Sequence, residues 1–350
     1  MARTRLCVVF GGASSEHEVS LLSAASVLKN IDSEKYEVTM LAISKDGGWY
    51  YYDGEPEGLK NLSSDTEWQM DRAIISPDRT EKAILRFTND GVKTYPIDVV
   101  FSVLHGKNGE DGTIQGLFEL AGIPYVGSGV IGSAVCMDKC MAKTIFAHAG
   151  IPQANWVELK RGEEKIAEIE AKLGYPCFVK PANAGSSVGI TKAHNRAELI
   201  SGIEAAFLED YKVLVEEMMY GAEVESSVMG NLNPVCASVI GEITPAAEFY
   251  DYDAKYNNAA SILTIPADIK PEYAEKLREL AVKAYRACEC RGLARVDFFV
   301  DKETGDIRLN EINTLPGFTS ISMYAKLWDA DGVGYRELVN QLIRLAMEED

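Results

Sequence analysis

The sequence predicts an α/β protein of two or three packed units, the first of which contains a parallel sheet. The chain has 350 residues, two to three times the length of a typical domain. It opens with a strand–helix–strand pattern, and an antiparallel-looking set of strands follows toward its end. Apolar residues make up 47% and charged residues 25%, a balance that excludes extended disorder and fibrous repeats.

The first unit begins as a strand, a helix and a second strand. Residues 6–10 (LCVVF) are an unbroken apolar run, typical of a strand buried on both faces. The following SSEHEVSLLSAASVLKNI places apolar residues at helical spacing, and YEVTMLAIS predicts the next strand. Residues 46–95 are more polar and rich in turns, which indicates an elaboration. IDVVFSVLHG then returns to a buried strand, and TIQGLFELAG predicts a helix that ends at Gly122.

Two further units follow. MDKCMAKTIFAHAG and AELISGIEAAFLED predict helices, and the strands between and after them are IPQANWVEL, YPCFVKP and KVLVEEMM. From about residue 220, EVESSVMG, PVCASVIGEI, LARVDFFV and IRLNEI predict antiparallel strands, and YRELVNQLIRLAMEE predicts a closing helix. We therefore expect an N-terminal unit at 1–127, a central unit at 128–219 and a C-terminal unit at 220–350, with interfaces shared among them.

The charge balance restricts the partners. Lysine and arginine number 35 against 53 aspartates and glutamates, which gives a formal net charge of −18. A protein this acidic is not suited to neutralise a nucleic-acid backbone or to lie on an anionic membrane. A small anionic ligand would have to be bound by a few local basic groups.

The cysteines and the N-terminus indicate a cytoplasmic protein. The seven cysteines are scattered, none has CxxC spacing, and the one CxC (Cys288 and Cys290) has no second ligand pair nearby. Reduced thiols are therefore expected rather than disulfides or a zinc site. The first apolar run is too short for a signal peptide, and no stretch approaches the ~18 apolar residues of a membrane helix.

The most informative segment is 293–313, which predicts a hairpin with a metal site. If residues 303–305 form a three-residue loop with Gly305 in the left-handed conformation, Asp297 lies opposite Glu311 and Arg295 lies opposite Asn313. Facing carboxylates repel each other unless a cation lies between them. The oxygen donors of Asp297, Glu311 and Asn313 suit Mg²⁺. The alternative is a solvated polar face of the sheet.

A second segment, FVKPANAGSSVGI, predicts a phosphate-binding loop. A strand that ends at Lys180 is followed by small residues, whose backbone N–H groups can surround phosphate oxygens while the lysine supplies positive charge. The pattern is not a Walker A loop, and no GxGxxG follows the first strand. Alone the loop could be an ordinary surface turn; beside a magnesium site it favours a bound nucleotide.

Two polar residues follow strands of the first unit. In GGASSEHEVS, Ser14 or Ser15 could simply cap the helix. Alternatively, Glu16 points from the carboxyl end of the first strand into a ligand crevice and binds a cation such as an amino group. The residues leave these two interpretations equal. His105 also follows a buried strand. There is no GxSxG elbow and no cysteine with catalytic partners, so nucleophilic catalysis is not expected.

Taken together, these segments resemble a known family. FGGASSEHEVS, LHGKNGEDGTIQGLFELAGIPYVGSG, MDKCMAK, FVKPANAGSSVGI, EFYDYDAKY, ARVDFF and LNEINTLPGFTS occur in the order found in D-alanine–D-alanine ligases of the ATP-grasp superfamily. The resemblance covers nearly the whole chain and is weakest at 46–95. It implies a three-domain ATP-grasp fold with an N-terminal α/β domain, and ATP held between the central and C-terminal domains.

The resemblance also implies roles toward ATP and metal. ATP would be bound through its phosphates, adenine and ribose by Lys139, Lys180, Ser187, Lys255, Glu216, Glu217, Met219 and Glu223. The magnesium ligands would be Asp297, Glu311 and Asn313, which agrees with the hairpin. Two Mg²⁺ ions are expected, which Mn²⁺ could replace.

Further implied roles concern the amino-acid substrates. Glu16 would hold the ammonium of the first D-alanine, and Ser322 would receive the carboxylate of the second, near Met323. His105 would also bind substrate. Arg295 and the Gly317 amide would stabilise the acyl phosphate and the tetrahedral intermediate. Ser186 and Tyr256 would link with Glu16 to close the loop EFYDYDAKY over the site. The family implies D-alanyl phosphate as the intermediate, a role in peptidoglycan synthesis, and a homodimer.

The chain departs from the family near the second substrate. It has TSIS where TSHS is common, and Met323 occupies a position where vancomycin-resistance ligases often have arginine. Met323 and EFYDYDAKY favour D-alanine as second substrate, whereas the LHGKNGEDG spelling resembles the D-serine type, so a D-alanine–D-serine ligase is the alternative. Another ATP-grasp carboxylate–amine ligase and a non-catalytic nucleotide-binding protein are further alternatives.

Overall fold

The computed structural model describes residues 2–62, 68–185, 188–244, 262–319 and 321–348. Its strands form three sheets, which follow one another along the chain. The α/β character expected from the sequence is therefore confirmed, whereas the unit boundaries at 127 and 219 remain predictions. Within this described part, no helix is both long and apolar enough to cross a lipid bilayer.

The first sheet has seven strands in the order β6-β5-β4-β3-β2-β1-β7. β1 pairs in parallel with β2 and with β7, as the opening strand–helix–strand pattern predicts. The polar stretch expected as an elaboration supplies β3 to β6, which extend the sheet antiparallel at one edge. The elements are β1 (Thr4–Gly11), α1 (His17–Asn30), β2 (Tyr36–Ile43), β3 (Trp49–Tyr52), a 3₁₀ helix (Pro56–Asn61), β4 (Arg72–Ile75), β5 (Ala83–Thr88), β6 (Gly91–Pro96), β7 (Val99–Leu104) and α2 (Thr113–Ala121).

The second sheet has four antiparallel strands in the order β10-β9-β11-β8. Its core is formed by alternate residues of the strands and by the apolar faces of two helices. The elements are α3 (Val130–Met137), α4 (Lys139–His148), β8 (Trp156–Lys160), α5 (Ile166–Lys172), β9 (Cys177–Pro181), β10 (Thr191–Ala193), α6 (Arg196–Glu209) and β11 (Lys212–Glu217).

The third sheet has five antiparallel strands in the order β14-β13-β12-β15-β16. Its antiparallel pairing confirms the prediction made for the segments after residue 220. The elements are β12 (Ala222–Gly230), β13 (Cys236–Thr244), β14 (Ile262–Thr264), α7 (Pro271–Ala287), β15 (Gly292–Val300), β16 (Ile307–Asn313), α8 (Met323–Ala330) and α9 (Tyr335–Ala346).

A continuous apolar core joins the first and third units. Phe10 and Phe101 of the first sheet belong to the same buried cluster as Tyr324, Trp328 and Leu342 of the last two helices. The segment 314–319 after β16 enters this core: the Phe318 ring packs edge-on against Phe101 at 6.0 Å between centroids. Burial of this much apolar surface fixes the end of β16 against the carboxyl ends of β1 and β7.

The β15–β16 hairpin confirms the predicted pairing but not the predicted loop. Asp297 faces Glu311 and Arg295 faces Asn313, as expected. The three-residue loop is wrong, because Asp301 and Asp306 are still bonded through their backbones at 2.9 Å and four residues lie between them. A bulge beyond Asp297 shifts the register by one residue, so that Phe298 pairs with Leu309. The longer loop and the bulge shift the pairing by one residue in opposite directions, so that the polar residues are paired as expected.

Helix α4 begins at a charged cap. The Asp138 side chain accepts hydrogen bonds from the backbone N–H groups of Cys140 and Met141, both at 3.1 Å. The same carboxylate forms an ion pair with Lys212, whose side chain is 6% exposed. Asp138 therefore stabilises the first turn of the helix and neutralises a nearly buried lysine of β11.

We expect Asp138→Ala to lower the free energy of unfolding by about 3 kcal/mol, because it removes the cap and leaves Lys212 without this partner. Asp138→Asn should cost about 1 kcal/mol less, since its amide oxygen can still accept the cap hydrogen bonds. Urea unfolding monitored by circular dichroism measures both values. Equal losses for the two variants would show that the cap contributes nothing.

Candidate active site

A cavity of about 570 Å³ lies where the three sheets meet. The first unit contributes residues at the ends of β1 and β7, the central unit contributes α4, β9 and β11, and the third contributes the β15–β16 hairpin and the segment after it. Of the residues predicted from the sequence, those that line it are Glu16, His105, Lys139, Lys180, Glu216, Glu217, Met219, Glu223, Arg295, Glu311, Asn313 and Gly317. The structure therefore brings together in one place residues that are far apart in the sequence.

The expected phosphate-binding lysines lie side by side. Lys139 Nζ donates a hydrogen bond of 2.6 Å to the carbonyl of Ala184, in the loop that follows β9. Lys180, near the end of β9, forms an ion pair with the buried carboxylate of Glu216. Burial would lower the pKa of Lys180, but Glu216 outweighs it and raises the pKa, so the ammonium stays charged. Two cations thus flank the small-residue loop.

Asp297 lies beneath the cavity and is 3% exposed. Arg295 donates to both of its carboxylate oxygens, at 2.8 and 2.7 Å, and Asn313 Nδ2 donates to Oδ2 at 3.0 Å. The Arg295 guanidinium also reaches Glu225 Oε2 at 3.1 Å. The cation that facing carboxylates require is therefore supplied here by Arg295.

The donor set still fits magnesium by its chemistry. Asp297, Glu311 and Asn313 offer oxygen donors on one face of the hairpin, two of them carboxylates, which suits a hard divalent cation. Among the described residues, no three or more His, Cys, Asp or Glu side chains are grouped to hold a metal; this set has two carboxylates and one amide. A bound cation would have to take the oxygens of Asp297 that Arg295 now occupies.

In the segment expected to bind adenine, the side chain of Glu217 forms contacts between two units. Glu217 accepts hydrogen bonds from the backbone N–H of Asn155 at 2.9 Å and from its side-chain amide at 3.0 Å. Arg308 of β16 also donates to Glu217, at 2.7 Å. The Glu217 carboxylate thus connects the central unit to the third, while the following residues through Glu223 line the cavity wall.

At the first-unit end of the cavity, three ionisable groups cluster. Glu16 is 7% exposed and occupies the N-cap position of α1 without a side-chain cap bond, while the Ser14 hydroxyl donates to the carbonyl of His105. The Ser14 hydroxyl also accepts a hydrogen bond of 3.2 Å from the backbone N–H of Glu16, so the capping contact expected of Ser14 exists beside a Glu16 that lines the cavity. His105 Nδ1 lies 3.1 Å from the carbonyl of Leu315 and 3.4 Å from Glu110 Oε1.

His105 and Glu110 both have a raised pKa in this cluster. Burial would lower the pKa of His105, but Glu110 and Glu16 outweigh it and raise the pKa. Burial raises the pKa of Glu110, and the charge of Glu16 adds to this. The close backbone at Gly106, which has φ +71°, leaves no room for a side chain beside the Glu16 carboxylate. The cluster therefore forms a compact, negatively biased pocket suited to an ammonium group.

Gly317 lines the cavity and Ser322 lies beside it, but neither Ser322 nor Met323 is among the residues that line the cavity. The Ser322 hydroxyl lies close to Gly317 and accepts a hydrogen bond of 3.0 Å from the backbone N–H of Thr319. The Met323 side chain is buried with Ile243 and packs against Gly241, where even a methyl group would collide with it. Met323 thus supports the cavity wall formed by Ile243. Ser186, Ser187, Lys255 and Tyr256 lie outside the described residues.

Three buried or nearly buried ionisable residues of the site were not predicted from the sequence. Glu110 lies in the LHGKNGEDG segment, where its turn could have placed it beside His105. Lys143 lies one helical turn after Lys139, a spacing that puts both on one face of α4. Glu225 pairs with Asp297 across β12 and β15. No local signal indicates that pairing, because it joins strands about 70 residues apart in the chain.

Two family models match the chain. One, described as D-ala D-ala ligase N-terminus, matches residues 5–128, and the other, described as D-ala D-ala ligase C-terminus, matches residues 145–344. A curated relative from Ruminiclostridium cellulolyticum, named D-alanine--D-alanine ligase, is 51% identical over 99% of this chain and 96% of its own length.

Solved structures show the same likeness. The VanG D-Ala:D-Ser ligase from Enterococcus faecalis has a TM-score of 0.90 and 41% identity, covering 99% of this chain and 100% of that one. The D-alanine–D-alanine ligase from Bacillus anthracis complexed with ATP has a TM-score of 0.73 and 30% identity, covering 98% and 97%. The expected ATP-grasp fold is confirmed by these likenesses.

The raised pKa of His105 predicts a pH-dependent contribution to stability. A histidine whose folded-state pKa exceeds its unfolded value stabilises the fold fully below the unfolded value, and this stabilisation is lost as pH rises through the folded value. His105→Gln should therefore lose more unfolding free energy at about pH 6 than at about pH 9. Urea unfolding at both pH values measures this, with the exposed His194→Gln as control. A larger loss at the higher pH would contradict the assignment.

Proposed function

The chain belongs to the D-alanine–D-alanine ligase family, and from this membership we propose how its residues divide the work of the reaction. The enzyme is an ATP-dependent, ADP-forming ligase that joins two D-alanines to D-alanyl-D-alanine for peptidoglycan synthesis. The observation that supports the division is the single cavity, which places an ammonium pocket, a pair of lysines and the carboxylate hairpin around the same space. D-Alanyl phosphate is the proposed intermediate.

Lys139 and Lys180 are the proposed contacts to the phosphates of ATP. Lys139 donates to the carbonyl of Ala184 in the loop after β9, and Lys180 lies near the end of that strand. A loop of small residues there lets backbone N–H groups approach an anion closely. Their charges would disperse the negative charge that builds up on the transferring group. Met219 and Glu223 are the proposed contacts to adenine and ribose, on the wall that Glu217 and Arg308 hold in place.

Asp297, Glu311 and Asn313 are the proposed ligands of Mg²⁺. When bound, Mg²⁺ neutralises phosphate oxygens and orients them for transfer. For the chain itself, this requires that Arg295 leave Asp297, since the guanidinium now takes both carboxylate oxygens. Glu225 remains as a partner for Arg295 at 3.1 Å, so that the guanidinium is still neutralised after the exchange.

Glu16 and His105 are proposed to bind the first D-alanine. The Glu16 carboxylate would pair with the substrate ammonium, and His105, held by Leu315 and Glu110, would stay in place beside the substrate. This fixes the carboxylate of the first D-alanine toward the γ-phosphate, so that one of its oxygens can attack in line. The phosphorylated carboxyl group then lies within reach of the second amine.

Arg295 and the backbone N–H of Gly317 are the proposed stabilisers of the second step. The amine of the second D-alanine attacks the acyl phosphate, and negative charge develops on the carbonyl oxygen before phosphate leaves. A guanidinium freed from Asp297 can meet that charge. Ser322, which lies beside Gly317, would bind the second substrate's carboxylate. Exclusion of water from the site would keep the acyl phosphate from being hydrolysed.

D-Alanine is the proposed second substrate, with D-serine as the alternative. Met323 packs against Gly241 and is buried with Ile243, so the side chain at this position is apolar and uncharged. An apolar side chain offers no partner to a serine hydroxyl, which would lose its hydrogen bonds to water on binding beside it. The 41% identity to the VanG D-Ala:D-Ser ligase is the observation that keeps D-serine in consideration. A cytoplasmic location and a homodimer are also proposed, from family membership.

The function predicts phosphate release that requires D-alanine. With ATP and Mg²⁺, D-alanine alone should support turnover, and mass spectrometry should identify D-alanyl-D-alanine as the product. When D-serine is added at equal concentration, we expect the mixed dipeptide to be less than about a tenth of the product, because one unsatisfied hydroxyl costs roughly 1–3 kcal/mol. Equal or greater mixed dipeptide would establish the D-serine alternative.

The metal assignment predicts that Asp297→Asn weakens metal binding as well as catalysis. The amide carries no charge, so we expect at least about a hundredfold loss of kcat and a weaker affinity for Mn²⁺, followed by electron paramagnetic resonance without turnover. The exposed Asp329→Asn is the matched control and should change neither quantity. Unchanged Mn²⁺ affinity in Asp297→Asn would show that Asp297 is not a ligand.

A further inference from the structure

Glu216 of β11 lies between two lysines. Its Oε2 is 3.0 Å from Lys143 Nζ, and its Oε1 forms an ion pair with Lys180. The side chains of Glu216 and Lys143 are 2% and 3% exposed, whereas that of Lys180 is 13% exposed. One carboxylate therefore holds two cations, of which one is sealed in the interior and one faces the cavity.

Lys143 is placed to act on Glu216 rather than on a ligand. It lies on α4 one turn after Lys139 and borders a void of about 10 Å³ that adjoins the main cavity. Its Nζ is 5.7 Å from the centre of the Trp156 ring, which covers it from another side. A void of that size holds no nucleotide, and Glu216 and Lys180 form the wall that a ligand in the cavity would meet.

The charges of the three groups leave one positive charge in excess. If Lys180 turned toward a phosphate and Lys143 were absent, the ionised Glu216 would be left buried without either cation. Breaking a buried ion pair in this way is strongly destabilising, because the remaining charge has lost its hydration as well as its partner. With Lys143 present, Glu216 keeps a counterion throughout.

We propose that Lys143 is a positioning residue for nucleotide binding: it is the permanent counterion of Glu216 and thereby frees Lys180 to bind a phosphate. The inference rests on the proposed function, since it takes Lys180 as a contact to the phosphates of ATP. It adds a division of labour between the two lysines, in which Lys143 neutralises the protein's own carboxylate and Lys180 neutralises the ligand.

The protonation of Glu216 supports this division. Burial would raise its pKa, but the charges of Lys143 and Lys180 outweigh burial and lower the pKa to about 2. Glu216 is therefore ionised at neutral pH while both lysines lie beside it. A buried, ionised carboxylate needs a cation, and when Lys180 turns to a ligand, Lys143 is the one that stays.

The test measures how much the phosphates of a nucleotide contribute to its binding, separately from its adenosine part. Isothermal titration calorimetry gives the affinities for ADP and for adenosine, and their ratio reports what the phosphates add. Lys143→Met should lower this ratio at least about tenfold, because Lys180 is then retained by Glu216. Lys143→Arg, which keeps the charge, should retain most of the ratio. In the double variant Lys143→Met/Glu216→Gln, the ratio should equal that of Glu216→Gln alone.

The controls distinguish the possible failures. Lys180→Met alone should lower the ratio of the ADP affinity to the adenosine affinity. If it does not, the proposed contact between Lys180 and the phosphates is wrong. If Lys180→Met lowers the ratio and Lys143→Met leaves it unchanged, only the role of Lys143 is overturned. Equal weakening of ADP and adenosine by Lys143→Met would indicate a merely structural lysine. If that variant does not fold, the comparison of the double variant with Glu216→Gln decides, and a lower ratio in the double variant overturns the proposal.

Discussion

The site depends on one electrostatic constraint: three of the cationic side chains that face the cavity are held by carboxylates of the protein itself. Lys180 is held by Glu216, Arg295 by Asp297 and Glu225, and the His105 ring by Glu110. In a chain with a net charge of −18, an anionic ligand cannot rely on a general positive field. It must instead take over particular cations that buried carboxylates have already fixed in position.

The fold satisfies this constraint by bringing three sheets together at their ends. The carboxyl ends of β1 and β7 supply the proposed ammonium pocket, α4 and β9 supply the two lysines that line the cavity, and β15 with β16 supplies the carboxylate hairpin. The core shared by Phe101, Phe318 and Tyr324 holds the third unit against the first. The Glu217–Arg308 pair holds it against the second. Because both interfaces lie next to the cavity, they fix the distances between groups from different units.

Local pattern was sufficient for the elements and for the polar pairs within one hairpin. Side chains alternate along strands, so Asp297 and Arg295 had to share a face, and the pairing with Glu311 and Asn313 followed from a turn. The predicted loop length was wrong, because a bulge and a longer turn offset each other, and no strong sequence signal indicates either of them. Strands β3 to β6 were expected only as an elaboration, since short polar strands at the edge of a sheet lack a buried apolar run.

Contacts between units were beyond the reach of local pattern. Glu225 and Lys143 neutralise charges on other elements, and their partners are fixed by tertiary packing rather than by spacing. The resemblance to a family indicated residues that contact ligands, but it did not indicate the residues that form ion pairs with them. A charged residue that neutralises another residue of the same protein belongs to no ligand-binding motif, so its role is found only from the structure.

In the proposed function, ligand binding at this site therefore exchanges one ion-pair partner for another, because the cations that would bind the ligand are already paired with carboxylates. For Lys180 to reach a phosphate it must leave Glu216, and for a metal to reach Asp297 it must displace Arg295. Each exchange would leave a buried charge unpaired unless a second partner is already present, since such charges are costly to strand. Lys143 is that partner for Glu216, and Glu225 is that partner for Arg295. The two residues belong to different units and carry opposite charges, yet in the proposed function each leaves a cation of the site free to act on the substrate.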